Sequence, residues 1–96
     1  MYILITYDVD TTTKEGQRRL RRVANVCKDY GQRVQNSVFE CAVTEAQYCI
    51  LKNSIKEIVD ITMDSIRFYF LSKNEKRRTE VLGVETAYKV DDPLII

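Results

Sequence analysis

The 96-residue sequence contains no histidine. That removes Ser-His and Cys-His nucleophile pairs and every His-ligated zinc site, so acid–base chemistry falls to carboxylates, lysine, tyrosine or metal-bound water. Cysteine is sparse: Cys27, Cys41 and Cys49, an odd number without Cys-x-x-Cys spacing. Neither a disulfide framework nor a zinc knuckle is built that way, and the expectation is small buried hydrophobes. Long apolar runs are missing too: the longest uncharged apolar stretch is Met1 to Tyr7, and no basic signal-peptide segment follows Met1. A membrane helix needs about 20 apolar residues, so a cytoplasmic protein without a membrane partner is expected. Proline occurs once, at Pro93, which keeps the end of the chain off central-strand duty.

What is present describes one small domain, 45% hydrophobic and 30% charged. A chain this short buries only about 60–65% of its unfolded surface, so association with a second copy would help its stability. The net charge is only +1, but the basic residues are clustered. Arg18, Arg19, Arg21, Arg22, Lys28 and Arg33 form one group, and Lys73, Lys76, Arg77 and Arg78 a second. Such patches suit a phosphate-bearing partner; they also suit a solvated helix face.

Tyr2 to Asp8 reads as a strand, and Asp10-Thr11-Thr12-Thr13 as a turn with helix N-cap candidates. From about Glu15 to Tyr30, Leu20, Val23, Ala24 and Cys27 follow helical spacing, with Arg18, Arg21, Arg22 and Asn25 on another side. Gly31 ends that stretch. Residues 33–43 are extended, either one bent strand or two strands kinked at Gln35-Asn36-Ser37. Arg33, Ser37 and Phe39 alternate onto one face of it. Thr44 and Gln47 match a capping box, and Tyr48, Leu51, Ile55, Ile58 and Val59 line the helix that follows. Asp64 to Leu71 is a further strand with Ile66, Phe68 and Phe70 on one face.

Two helices on a small antiparallel sheet predict an α+β, ferredoxin-like sandwich over residues 1–82, followed by a tail at 83–96. The helices cover one face of the sheet. Strand one is apolar on both faces, Ile3 and Ile5 on one and Tyr2 and Leu4 on the other, so a homodimer is expected to cover the second face. The tail is expected to pair with the partner subunit. Asp8 shares parity with Tyr2, Leu4 and Thr6, so if Ile3 and Ile5 face the helices Asp8 faces the open side. Across a dimer axis two such carboxylates are compatible only with a shared proton or cation, and magnesium or manganese accepts two carboxylates and water. An aspartate at a strand end also serves as a plain turn or cap residue, and for Asp10 both a supporting-carboxylate and an N-cap role stand.

Tyr7-Asp8-Val9 after an apolar start, the Arg-rich first helix, Asp29-Tyr30-Gly31 and the run Arg33-Val34-Gln35-Asn36-Ser37-Val38-Phe39-Glu40 together resemble the Cas-two family of CRISPR-associated proteins over the whole chain. The resemblance implies a ferredoxin-like dimer that cleaves phosphodiester bonds in RNA or DNA, with Asp8 as catalytic and metal-binding residue and magnesium as cofactor, manganese being possible. It also implies a role in spacer acquisition beside a CRISPR integrase subunit. The nucleic-acid contacts that the resemblance carries over are Tyr7, Arg19, Arg22, Arg33 and Ser37; Arg18 joins them as a helix-one arginine suited to tracking a phosphate backbone. The alternative is a non-catalytic DNA-binding adaptor bridging integrase subunits. A third reading is an unrelated ferredoxin-like RNA-binding or regulatory domain; against a typical RNA-recognition motif, the chain lacks the aromatic-rich Gly-Phe strand.

Overall fold

The first strand, β1 (Tyr2–Asp8), is the centre of the molecule because both of its edges are paired and one of its faces is buried. Ile3, Ile5 and Tyr7 are buried, whereas Leu4 and Thr6 are half-buried and Tyr2 and Asp8 exposed. The computed structural model of the chain describes residues 1–71 and 78–83, Arg78 as backbone only. Expectations placed on Lys73, Lys76, Arg77, the Arg78 side chain and the tail past Gly83 lie outside these residues.

The helix α1 (Lys14–Lys28) begins where Thr13 accepts from the Gly16 N–H at 3.0 Å, so Thr13 and not Asp10 is its N-cap. Its stripe Val23, Ala24 and Cys27 is buried, with Leu20 packed at its margin. Residues 33–43 are not one strand. They form a hairpin of β2 (Gly31–Gln35) and β3 (Val38–Ala42) around Asn36-Ser37, with a register irregularity between Arg33 and Gln35. Arg33 and Phe39 do share a face, but as cross-strand partners; Ser37 sits in the turn. The second helix, α2 (Glu45–Ile58), starts in the expected capping box: the Gln47 N–H donates to the Thr44 hydroxyl at 3.1 Å, and the Thr44 N–H donates to Gln47 Oε1 at 2.9 Å.

Strand β4 (Ser65–Phe70) returns beside β1, and β5 (Arg78–Gly83) pairs with β4 at the edge, a strand that no pattern in the sequence announces. The sheet runs β2-β3-β1-β4-β5, every pairing antiparallel. The first four strands with their two helices make the ferredoxin-like unit, and β5 extends it. Register decides the faces. Ile3, Ile5 and Tyr7 of β1 stand opposite Phe70, Phe68 and Ile66 of β4, and these join Val23, Leu51 and Ile55 in a single core. The alternate set Leu4–Tyr69 and Thr6–Arg67 lies on the open face. Cys27 and Cys41 are buried as expected, whereas Cys49 is on the surface of α2.

Candidate functional site at the end of the central strand

Strand β1 delivers Asp8 to the last position of its ladder, opposite Ser65 of β4. The alternation that buries Tyr7 on the helix side leaves Asp8 exposed on the open side, as its parity predicted. No hydrogen bond or ion pair among the described residues engages the Asp8 carboxylate.

Both loops that flank Asp8 are built alike. After β1, Asp10 Oδ1 accepts from the Thr12 N–H at 2.9 Å and from the Thr12 hydroxyl at 2.7 Å. Before β4, Asp60 Oδ1 accepts from the Thr62 N–H at 2.9 Å and the Thr62 hydroxyl at 2.5 Å. These side-chain turns stabilise the ionised carboxylates, and the threonine hydroxyl and amide hold both below the ordinary value of 3.8. Between the turns lies Asp64, whose side chain is fully buried. Its Oδ1 accepts from the Asp10 N–H at 3.0 Å and its Oδ2 from the Asp60 N–H at 3.0 Å. The Arg19 guanidinium closes the set, Nε donating to Oδ2 at 2.8 Å and Nη2 to Oδ1 at 3.4 Å. That bond to Asp64 also raises the already high pKa of Arg19.

Tyr7 stands on the other face. Its ring is buried, stacked on Phe39 with centroids 6.0 Å apart, and its hydroxyl donates to the Asn36 carbonyl at 3.2 Å. Burial pushes its phenol up; the nearby Arg33 cation opposes the shift. The Tyr7 N–H donates to the Ser37 carbonyl at 3.0 Å, so Tyr7 anchors the β2–β3 turn from two sides. Arg33 is exposed and lies 5.4 Å from the Phe39 ring centroid, a cation–π contact that leaves its outer edge to solvent. Arg18, Arg21 and Arg22 are exposed on the outer side of α1, whereas Arg19 turns inward to Asp64.

The structure therefore divides the sequence-predicted residues into separate groups. Asp8 stands on the open face; Tyr7, Arg33 and Ser37 gather around the hairpin turn; Arg18 and Arg22 lie along α1; Arg19 belongs to the loop junction. Sequence reasoning missed Asp60 and Asp64. The signal was present as a repeated Asp-x-Thr, at Asp10-Thr11-Thr12 and Asp60-Ile61-Thr62, each at a junction between strand and helix. Asp8 fits a hard divalent cation in kind, as an exposed oxygen ligand, but no group of three or more Cys, Asp or Glu placed to hold a metal occurs among the described residues.

A ferredoxin-like unit with an added edge strand, an exposed carboxylate at the end of its central strand and an arginine-studded first helix defines a class of small α+β proteins. Within that class the match is specific. Residues 1–79 fit the family described as CRISPR associated protein Cas2. The chain is 51% identical over 96 residues to a protein of Moorella thermoacetica named CRISPR-associated endoribonuclease Cas2 1, each covered to 100%. It is 47% identical over 95 residues to the CRISPR-associated endonuclease Cas2 of Halalkalibacterium halodurans, each covered to 99%. The crystal structure of Streptococcus pyogenes Cas2 superposes with a TM-score of 0.72 at 58% identity, covering 77% of this chain and 89% of that one. The chain belongs to the CRISPR-associated Cas2 family.

Proposed function

We propose that this chain is a cytoplasmic, metal-dependent endonuclease that cleaves phosphodiester bonds in RNA or DNA, working as a homodimer in CRISPR spacer acquisition beside an integrase subunit. The relatives' names support the nuclease class. The observation that carries the rest is the placement of Asp8: exposed, at the end of the central strand, on the sheet face that no helix covers. A second copy docked on that face meets Leu4, Thr6 and Tyr69 and brings its own Asp8 toward the first. Two carboxylates then repel unless a cation sits between them, and the Asp8 pair is the ligand set for magnesium or manganese. When bound, such an ion acidifies water and stabilises charge developing on a phosphodiester.

The protein's own residues supply the positioning. Arg18, Arg21 and Arg22 form an exposed stripe that tracks a phosphate backbone. Arg33 and Ser37, beside the turn that Tyr7 holds, present a second polar contact; Tyr7 acts from inside the core. A second reading, the non-catalytic DNA-binding adaptor, is favoured by one observation: among the described residues no group of three or more His, Cys, Asp or Glu is placed to hold a metal.

The deciding experiment compares wild type with Asp8→Asn from identically purified protein, on single- and double-stranded RNA and DNA with titrated magnesium or manganese. Cleavage is expected to vanish in Asp8→Asn while nucleic-acid affinity survives, because binding rests on the distributed arginines. Sedimentation is expected to give twice 11.2 kDa for both proteins. Equal cleavage rates sink the Asp8 assignment and leave the adaptor.

A further inference from the structure

We propose that Arg19 and Asp64 form a positioning device for Asp8, and that Arg19 is not a phosphate contact. The inference rests on the reading of Asp8 as the reactive carboxylate, and the geometry around it carries the rest. Asp8 is the last residue of β1 and Ser65 its partner in β4. The backbone leaves this ladder two residues after Asp8, at Asp10, and enters it one residue before Ser65, at Asp64. The Asp64 carboxylate holds the first of these points directly, through the Asp10 N–H at 3.0 Å, and ties it to the second through its own place in the chain. It also takes the Asp60 N–H at 3.0 Å, so both flanking loops hang on one buried side chain.

A fully buried carboxylate is stable as an anion only if its oxygens are saturated with donors and its charge is matched. Two backbone amides meet part of that need. The Arg19 fork, 2.8 Å and 3.4 Å from the two oxygens, supplies the remaining donors and the positive charge. Arg19 thus differs from its neighbours on α1: Arg18, Arg21 and Arg22 are exposed, whereas the Arg19 side chain retains 16% of its accessible surface and points into the loop junction. A guanidinium engaged by a buried carboxylate has little left to offer a phosphate. What it does offer is a fixed backbone on either side of Asp8, and a catalytic group displaced by about 1 Å loses on the order of 100-fold in rate.

The test uses full-length Arg19→Gln, Asp64→Asn, the double variant, Arg18→Gln and Asp8→Asn, assayed well below each melting midpoint. Arg19→Gln and Asp64→Asn are expected to lower kcat by a similar factor, roughly 10- to 100-fold, with KM within about two-fold. The double variant is expected to be no worse than either single one, because both remove the same interaction. Binding is measured by fluorescence anisotropy on a labelled duplex across a salt series. Arg19→Gln is expected to leave the slope of log affinity against log salt unchanged, whereas Arg18→Gln lowers it by about 0.7–0.9. Amide exchange at Asp10 and Asp60 is expected to accelerate in Asp64→Asn. A slope that falls in Arg19→Gln as it does in Arg18→Gln overturns the proposal, and so does wild-type kcat in Arg19→Gln while Asp8→Asn is inactive. If Asp64→Asn fails to fold, the slope and kcat of Arg19→Gln still decide. If Asp8→Asn cleaves like wild type, the Asp8 reading fails and the positioning role falls with it.

Discussion

A glycine-to-alanine change in a helix is expected to stabilise a protein, by about 1 kcal/mol on helix propensity alone. At Gly16, the third residue of α1, the sign should reverse. A Cβ built there lies 1.7 Å from the Asp10 carbonyl oxygen and 2.9 Å from its carbonyl carbon. The obstacle is backbone, and no rotamer change relieves it. To move from 1.7 Å out to the 3.0 Å that real Cβ atoms respect, the β1–α1 loop must retreat by at least 1.3 Å. That retreat pulls the Asp10 N–H off Asp64, where it now bonds at 3.0 Å. Overpacking of this kind costs about 1–3 kcal/mol and the broken hydrogen bond about 1 kcal/mol, against the propensity gain. The expected net loss is about 2 kcal/mol, or roughly 10 °C in Tm for a chain of this size. Thermal melts of wild type and Gly16→Ala at matched chain concentration measure it, with Asn53→Ala on the exposed side of α2 as the control where propensity should rule. A Gly16→Ala protein melting at or above wild type would refute the reasoning, because the loop would then yield without cost. Cleavage offers a second readout, since the same retreat disturbs the backbone beside Asp8.

Three further outcomes follow from the same geometry. Burial pushes the Cys27 thiol up to about 12 and the Cys41 thiol up to about 11, so a thiol reagent at neutral pH should titrate one cysteine, Cys49, in the native protein and all three in urea. Asp10 and Asp60 are held below 3.8 by their threonine donors, so each adds stability that is present above the unfolded value and disappears as pH falls through the folded one. Urea midpoints should therefore drop below about pH 4, and Thr12→Val with Thr62→Val should flatten that drop; an unaltered pH profile would dismiss the two turns as contributors. Replacing Arg18, Arg21 and Arg22 together by Ala should weaken nucleic-acid binding broadly and reduce the salt slope by about 0.7–0.9 for each phosphate no longer neutralised; an unchanged slope would make the stripe a solvated surface.

The local chemistry of the chain was legible in its order of residues. Period-2 and period-3.6 patterns alone located β1, α1, α2 and β4, and the Thr44–Gln47 capping box marked the start of α2, because these features depend on neighbours within a few positions. The parity of Asp8 against Ile3 and Ile5 put it on the open face for the same reason. Three things needed the tertiary structure. The hairpin at Asn36-Ser37 depends on Arg33 finding Phe39 across the turn while Tyr7 holds the turn from β1. Strand β5 exists through its pairing with β4, not through a strong pattern of its own. Arg19 is one arginine among four in five residues, chemically indistinguishable along the sequence from Arg18, Arg21 and Arg22. Only the fold, by bringing a buried carboxylate from 45 residues away to 2.8 Å, separates it from the others. A side chain's partner is set by where distant backbone segments meet, and periodicity carries no information about that distance.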